Sequence, residues 1–294
     1  MGKGCLVDTT RCIGCRACQV VCKHWNDLEA EETRFLGVGG GYENPPALSS
    51  RTFTRITFHE IIRTDGELDR SVFVKRQCMH CEEPACAAGC PVGALEKADA
   101  GPVTYHADKC IGCRYCMMVC PFDVPTLEWH ESAAFIGKCT FCEDRISEDL
   151  PYEEVDGAPL SRVSRERHRA SFRVPACAKA CPSEALLFGE RDALLAEAHK
   201  RIAERKRRRD SWQYIDHIYG EKEVGGTNWL YLANVPFEEL GFRTDLGERA
   251  YPSYTDASLR SLPLLVVGMG AALSAAYWVS ERRRRVEQES RDQE

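Results

Sequence analysis

Several features that mark common protein classes are missing from this 294-residue chain. It has no basic excess: 39 Lys and Arg stand against 45 Asp and Glu, a net charge of −6, which argues against nucleic acid as a partner. The N-terminus shows neither an apolar run of signal-peptide length nor a twin-arginine pair. GVGGGY at 37–42 has no strand–helix unit around it and is not G-x-G-x-x-G, so it reads as a loop rather than a dinucleotide site. A P-loop, an HExxH helix and a nucleophile elbow are also lacking. After position 181 there is no cysteine, which divides the chain into a cysteine-rich part and a tail.

Cysteine is what the chain does have, 17 in all, and their spacing is ordered. Cys12, Cys15, Cys18 and Cys22 form C-x2-C-x2-C-x3-C, and Cys110, Cys113, Cys116 and Cys120 repeat it. Cys78, Cys81, Cys86 and Cys90 form C-x2-C-x4-C-x3-C, and Cys139, Cys142, Cys177 and Cys181 make a split fourth set. Disulfide scaffolds belong to short secreted chains without a core, which does not describe a chain of this length. Three thiolates on a C-x2-C-x2-C turn wrap one face of an iron–sulfur cube, and the fourth ligates the other cluster of a pair. Proline follows the last cysteine in CPVGA, CPFDV and CPSEA, where it fits the first position of a helix, while Lys23 takes that place in the first motif. Gly14 and Gly112 let the backbone approach inorganic sulfide.

The competing metal is zinc, which pairs two C-x2-C hooks across a gap; two uninterrupted four-cysteine runs do not fit that pattern. A 3Fe-4S centre follows loss of a cysteine, and each set of four is complete. Cys5 is left over and reads as a small buried hydrophobe. Four 4Fe-4S clusters in one chain read as an electron relay, since several clusters in a row conduct what one can only store. An enzyme working at a cluster would need an open iron site. A redox sensor or a structural iron–sulfur protein needs neither four clusters nor a membrane anchor. Lys23, Lys109 and Lys138 adjoin ligand cysteines and read either as potential-raising cations or as solvated side chains.

VDTTRCIGCRACQVVCKHWND, with GYENPPALSSRTFTRITFHE, KRQCMHCEEPACAAGCPVGAL and KCIGCRYCMMVCPFDVP, resembles the iron–sulfur (beta) subunit of membrane-bound formate dehydrogenase. YGEKEVGGTNWLYLANVPFEELGF also resembles the four-cluster subunit of membrane-bound uptake hydrogenases, a relative in the same broad family of molybdopterin and respiratory complexes. The resemblance implies an α+β fold of two ferredoxin-like double-cluster modules packed together. It also implies four ligand sets: Cys12, Cys15, Cys18 and Cys181; Cys22, Cys139, Cys142 and Cys177; Cys78, Cys81, Cys86 and Cys120; and Cys90, Cys110, Cys113 and Cys116. Spacing alone supports an exchange of the fourth cysteine but does not say which motifs pair. No catalytic residue is implied. The implied partners are a catalytic molybdopterin (or nickel–iron) subunit and an integral membrane cytochrome b or quinone-reactive subunit.

The expected domains are a four-cluster domain at 1–190, a helix and extended docking tail at 191–258, a transmembrane helix at 261–280 and a short tail at 281–294. Within the first, 78–125 is the inner module and 1–30 with 139–185 the outer one. The polar stretch 143–175 is longer than the family's usual link and reads as a solvated loop or a docking element. TFTRITFHEII (52–62) and SVFVKR (71–76) read as a hairpin around Thr64-Asp65-Gly66, VTYH (103–106) as a short strand, and PVGALEK as a short helix. A helix starts near Arg191, and its basic end from Lys200 to Arg209 complements the helix dipole. That end reads as solvated, with anionic lipid or an acidic partner as the other reading.

SLPLLVVGMGAALSAAYWVS (261–280) carries no charge, and at about 1.5 Å per residue it reaches the ~30 Å of a hydrocarbon core. Tyr277 and Trp278 suit an interfacial belt, and the glycines and alanines at its centre suit close packing against another membrane helix. Arg282, Arg283, Arg284 and Arg285 follow it, so the positive-inside rule places the C-terminus in the cytoplasm and the cluster domain in the periplasm. The resemblance accounts for the missing leader: such subunits are exported with a signal-bearing partner. The apolar stretch has no His and so offers no imidazole to a haem.

Overall fold

The computed structural model describes residues 2–33, 43–129, 136–146, 173–208 and 213–292. Residues 147–172 of the inserted stretch and the GVGGGY stretch lie outside the described residues. The chain forms two compact units, Met1–Tyr251 and Pro252–Glu294.

The first unit is built on a three-stranded sheet whose middle strand is β1 (Lys3–Asp8). It pairs antiparallel with β8 (Leu186–Glu190) and parallel with β9 (Trp229–Leu232). KGCLVD is apolar on both faces, which suits a strand covered on both sides. Leu6 faces Leu194, Ala198 and Ile202, four residues apart on one face of the helix Arg191–Arg208. Cys5 and Val7 face the opposite core, with Phe141, Trp229 and Tyr231. Trp229, Leu230, Tyr231 and Leu232 are all fully buried, each contributing about 1.5–3 kcal/mol of hydrophobic stabilisation.

This differs from the sequence expectation for 191–258. That segment supplies a strand of the sheet and an aromatic cluster in which Phe242 lies 4.5 Å from Tyr219 and 4.8 Å from Tyr231, ring centre to ring centre. The first unit runs on to Tyr251. WLYL is apolar without alternation, so its strand character was masked.

The expected hairpin forms from β2 (Thr54–Ile62) and β3 (Leu68–Gln77), turning through Gly66 at φ 86°. β4 (Leu95–Lys97) pairs with β5 (Val103–Tyr105) between the second and third cysteine motifs, and β6 (Thr126–Leu127) with β7 (Ile136–Gly137) after the third. Here PVGALEK departs from expectation: Pro91 to Gly93 make a turn, and Leu95–Lys97 is strand. The helix Arg191–Arg208 starts where expected. Arg201 on it is not solvated; it pairs with buried Asp8 at 2.9 Å.

The second unit is one helix, Ser253–Arg291, which encloses the expected span at 261–280. It is long and apolar enough to cross a membrane. Leu264, Leu265, Val266, Val267, Met269 and Leu273 are all exposed on it, an apolar surface suited to lipid. Arg282 lies 5.5 Å over the Trp278 ring.

Gly220 closes the turn before β9 at φ 96°, and a Cβ there would lie 2.3 Å from the Trp229 carbonyl oxygen. Gly220→Ala is expected to destabilise the first unit by about 1–3 kcal/mol through backbone strain. Circular dichroism in urea measures this, and an unchanged midpoint would contradict it.

Candidate iron–sulfur cluster sites

RCIGCRACQVVC (11–22) and KCIGCRYCMMVC (109–120) fold alike. Gly14 and Gly112 both have φ 67°, and Arg16 and Arg114 have φ 61° and 64°. Two left-handed residues in each loop curl the backbone between the first two cysteines and the helix that carries the third, Ala17–Trp25 and Tyr115–Val119. A Cβ on Gly14 would come within 2.9 Å of Phe73, so the tight loop needs glycine there.

The three Cys-Pro sequences also share one shape. Gly93, Asp123 and Glu184 each adopt a left-handed φ of 63°, 51° and 50°. Each donates its N–H to the carbonyl three residues back, on Cys90, Cys120 and Cys181, at 3.3 Å. Proline here ends a segment instead of starting a helix. It pushes the preceding cysteine to extended backbone, as Cys120 shows at φ −74°, ψ 118°. The first motif lacks that proline, and its helix runs on to Trp25.

The structure gathers the sixteen motif cysteines from distant parts of the chain. The thiols acting on Cys12 are those of Cys181 and Cys15. Those acting on Cys22 are Cys139, Cys177 and Cys142. Cys81 is acted on by Cys78, Cys120 and Cys86, and Cys116 by Cys113, Cys110 and Cys90. Cys18 feels Cys177, Cys12 and Cys181. Cys15 and Cys113, at matching positions in the two repeats, are exposed, whereas Cys18, Cys22, Cys78, Cys86, Cys116, Cys139, Cys142 and Cys177 are buried.

Burial, reinforced by neighbouring thiols, pushes the protonation equilibria upward. Cys18, Cys86 and Cys142 rise to about 12, and Cys116 and Cys139 to about 11. Cys90 goes the other way: burial opposes it, but the N–H groups of Val92, Leu95, Ala94 and Gly93 outweigh that and lower it. The Ala94 N–H lies 3.2 Å from its sulfur. Four close thiols become thiolates together only around a positively charged centre.

A zinc ion would draw four sulfurs to ~2.3 Å of one point. Among the described residues no three Cys, His, Asp or Glu side chains converge on one ion. Sets of thiols that influence one another without converging on one point suit the several irons and sulfides of an iron–sulfur cube. Cys5 is fully buried, and burial raises its thiol well above the ordinary range, so it stays protonated.

Of the three lysines singled out in the sequence, Lys23 donates to the carbonyls of Glu29 and Arg51 at 2.7 and 2.8 Å, and Lys109 is exposed. Lys138 is buried and donates to the Val103 and Cys139 carbonyls. Two buried bases were missed. His80, between Cys78 and Cys81, accepts the Val103 N–H at Nδ1 over 2.8 Å, and its ring also meets the Cys139 backbone. Burial first, and the charges of Lys138, Lys97 and Lys75 after it, hold it neutral. Lys75 is 1% exposed. Its one visible signal was a charge in the apolar run SVFVK, three residues before Cys78.

Cysteine loops of this spacing, with their thiols gathered and largely buried, define an iron–sulfur cluster protein, and the comparisons agree. A family model described as "4Fe-4S dicluster domain" matches residues 70–165. The nitrate-inducible formate dehydrogenase iron–sulfur subunit of Escherichia coli K12 is 36% identical over 228 residues, 77% of this chain and 66% of its own length. The formate dehydrogenase-O iron–sulfur subunit of the same organism is 34% identical, covering 92% of this chain and 80% of the relative. Hydrogenase-2 operon protein HybA of Escherichia coli O157:H7 is 34% identical, covering 81% and 71%. The chain belongs to this family of formate dehydrogenase and hydrogenase iron–sulfur subunits.

After anaerobic chelation, alkylation at pH 7 is expected to label Cys90 well before Cys18, Cys86 and Cys142. With groups near 12, the thiolate fraction at pH 7 is about one in 100,000, and it rises tenfold per pH unit up to that value. Peptide mass mapping over time checks this; equal rates at all four cysteines would contradict it.

Proposed function

We propose that the chain is the electron-transfer subunit of a formate dehydrogenase-type complex, holding four 4Fe-4S clusters between a catalytic molybdenum or tungsten subunit and a quinone-reactive membrane subunit. The observation that carries this is the way the four thiol groups connect. Cys18 of the first interacts with Cys177 of the second. Cys139 of the second packs with Cys78 of the third, and Cys86 of the third with Cys116 of the fourth. That is a line of four, the order a relay requires.

The ligand sets are those named above, with Cys181 completing the first, Cys22 the second, Cys120 the third and Cys90 the fourth. Each cluster supplies one-electron storage. The protein's part is to hold the thiolates, to donate backbone N–H groups to sulfur, as Phe141 N–H does to Cys139 at 3.3 Å, and to exclude water. The two double-cluster modules are 1–30 with 139–185, and 78–125. The helix Ser253–Arg291 anchors the chain by one span. Arg282 to Arg285 support a cytoplasmic C-terminus and a periplasmic cluster domain. A haem, if the membrane partner carries one, is ligated by that partner.

A second reading has its own support. HybA matches over 81% of the chain, which favours a nickel–iron hydrogenase as the catalytic partner. Dye reduction by the purified complex, with formate in one assay and hydrogen in the other, separates the two.

Anaerobically purified protein is expected to hold about sixteen iron atoms per chain, four per cluster. Eight or fewer in intact material would refute the four-cluster relay. Cys181→Ser is expected to remove or alter the cluster of Cys12, Cys15 and Cys18, seen as loss of one paramagnetic signal with the third and fourth retained. Loss confined to the cluster of Cys139, Cys142 and Cys177 would show the pairing to be wrong.

A further inference from the structure

The relay uses every motif cysteine, yet it leaves one buried charge without a task. Lys75 lies on β3, paired across the hairpin with Ile56, and its side chain is sealed from solvent. Its Nζ lies 4.2 Å from the centre of the Trp229 ring and donates to Gln77 Oε1 at 3.0 Å. Gln77 donates onward to the Tyr231 hydroxyl at 2.6 Å, and that hydroxyl donates to the Lys75 carbonyl at 2.9 Å. All of these partners are neutral. Among the described residues no carboxylate pairs with Lys75, although most other buried or half-buried cations here have one.

An ammonium held in a dry core without negative charge is strongly disfavoured. The Trp229 ring against this ammonium belongs to the same buried core as Cys18 and Cys177, and the groups that favour its charge are first the thiols of Cys177 and Cys139 of the second group and Cys18 of the first, then the Tyr231 hydroxyl. The effect is mutual, since Lys75 favours the thiolates of Cys18, Cys22 and Cys139. It is absent from the main influences on Cys81, Cys86, Cys116 and Cys120. Lys138, the other buried lysine, already gives its ammonium to two carbonyl oxygens.

We propose that Lys75 is a shared internal counter-cation for the two clusters held by Cys12, Cys15, Cys18 and Cys181 and by Cys22, Cys139, Cys142 and Cys177. Its field favours the reduced state of both. Reduction adds one negative charge to a cage, and a fixed cation within that cage's low-dielectric surroundings stabilises the added charge. The trio Gln77, Tyr231 and Trp229 holds the ammonium in place. Lys75 thereby raises the potentials of one half of the relay and leaves the other half to its own surroundings. This inference rests on the four-cluster reading above.

The test is Lys75→Met, close in shape and uncharged, purified anaerobically within the complete complex and titrated electrochemically with detection by electron paramagnetic resonance. At a fixed potential the reduced-to-oxidised ratio of two clusters is expected to fall at least tenfold, a midpoint lower by about 59 mV for one electron. The other two midpoints stay in place. Lys75→Arg keeps the charge and is expected to keep the native midpoints. Gln77→Glu sets a carboxylate against the ammonium, cancels its field without removing it, and is expected to lower the same two midpoints. Should Lys75→Met lose its clusters, Gln77→Glu decides. Four intact clusters with unmoved midpoints, or an equal fall in all four, would overturn the role of Lys75 alone. Native complex with iron for fewer than four clusters would overturn the relay reading and this inference together.

Discussion

The cost of ionising buried thiols, raised further by their mutual repulsion, is the constraint on which the architecture of the first unit depends. Thiols at about 11 or 12 are neutral in water at physiological pH, and packing them together makes ionisation harder still. Only a positively charged core reverses that preference. The glycine and arginine residues in left-handed geometry, the Cys-Pro turns and the sheet beneath them all serve to hold sulfur around such a core. Folding and cofactor retention are thus one process in this part of the chain.

The cysteines, the repeat at 11–22 and 109–120, the hairpin and the apolar tail were legible because each has a local signature. Spacing revealed the motifs but not their partners. Cys181 lies far from Cys12 in sequence, and only the fold brings the two thiols within reach of each other. Proline was misread in its local role. The same residue that opens a helix also forces the one before it into extended backbone, and at Cys120 the second effect wins.

What stayed hidden lies mostly in tertiary contacts. The segment from 213 to 250 reads as a polar tail with scattered aromatics, yet Tyr219, Phe237 and Phe242 share one buried core with Ile56, Val72 and Val74 of the hairpin. Lys75 illustrates the same limit. A lysine in a strand is ordinarily taken for a solvent-facing residue, and its burial depends on Trp229, which lies over 150 residues further along the chain.

The position of β1 has a consequence for biogenesis. β1 is made well before both of its neighbours, Leu186–Glu190 and Trp229–Leu232, and its edges stay uncovered until they follow. Residues 78–120, by contrast, hold two whole cysteine motifs within one short stretch. The thiols of 12–22 wait for partners that come only after residue 138, and until then they are open to oxygen and stray metal.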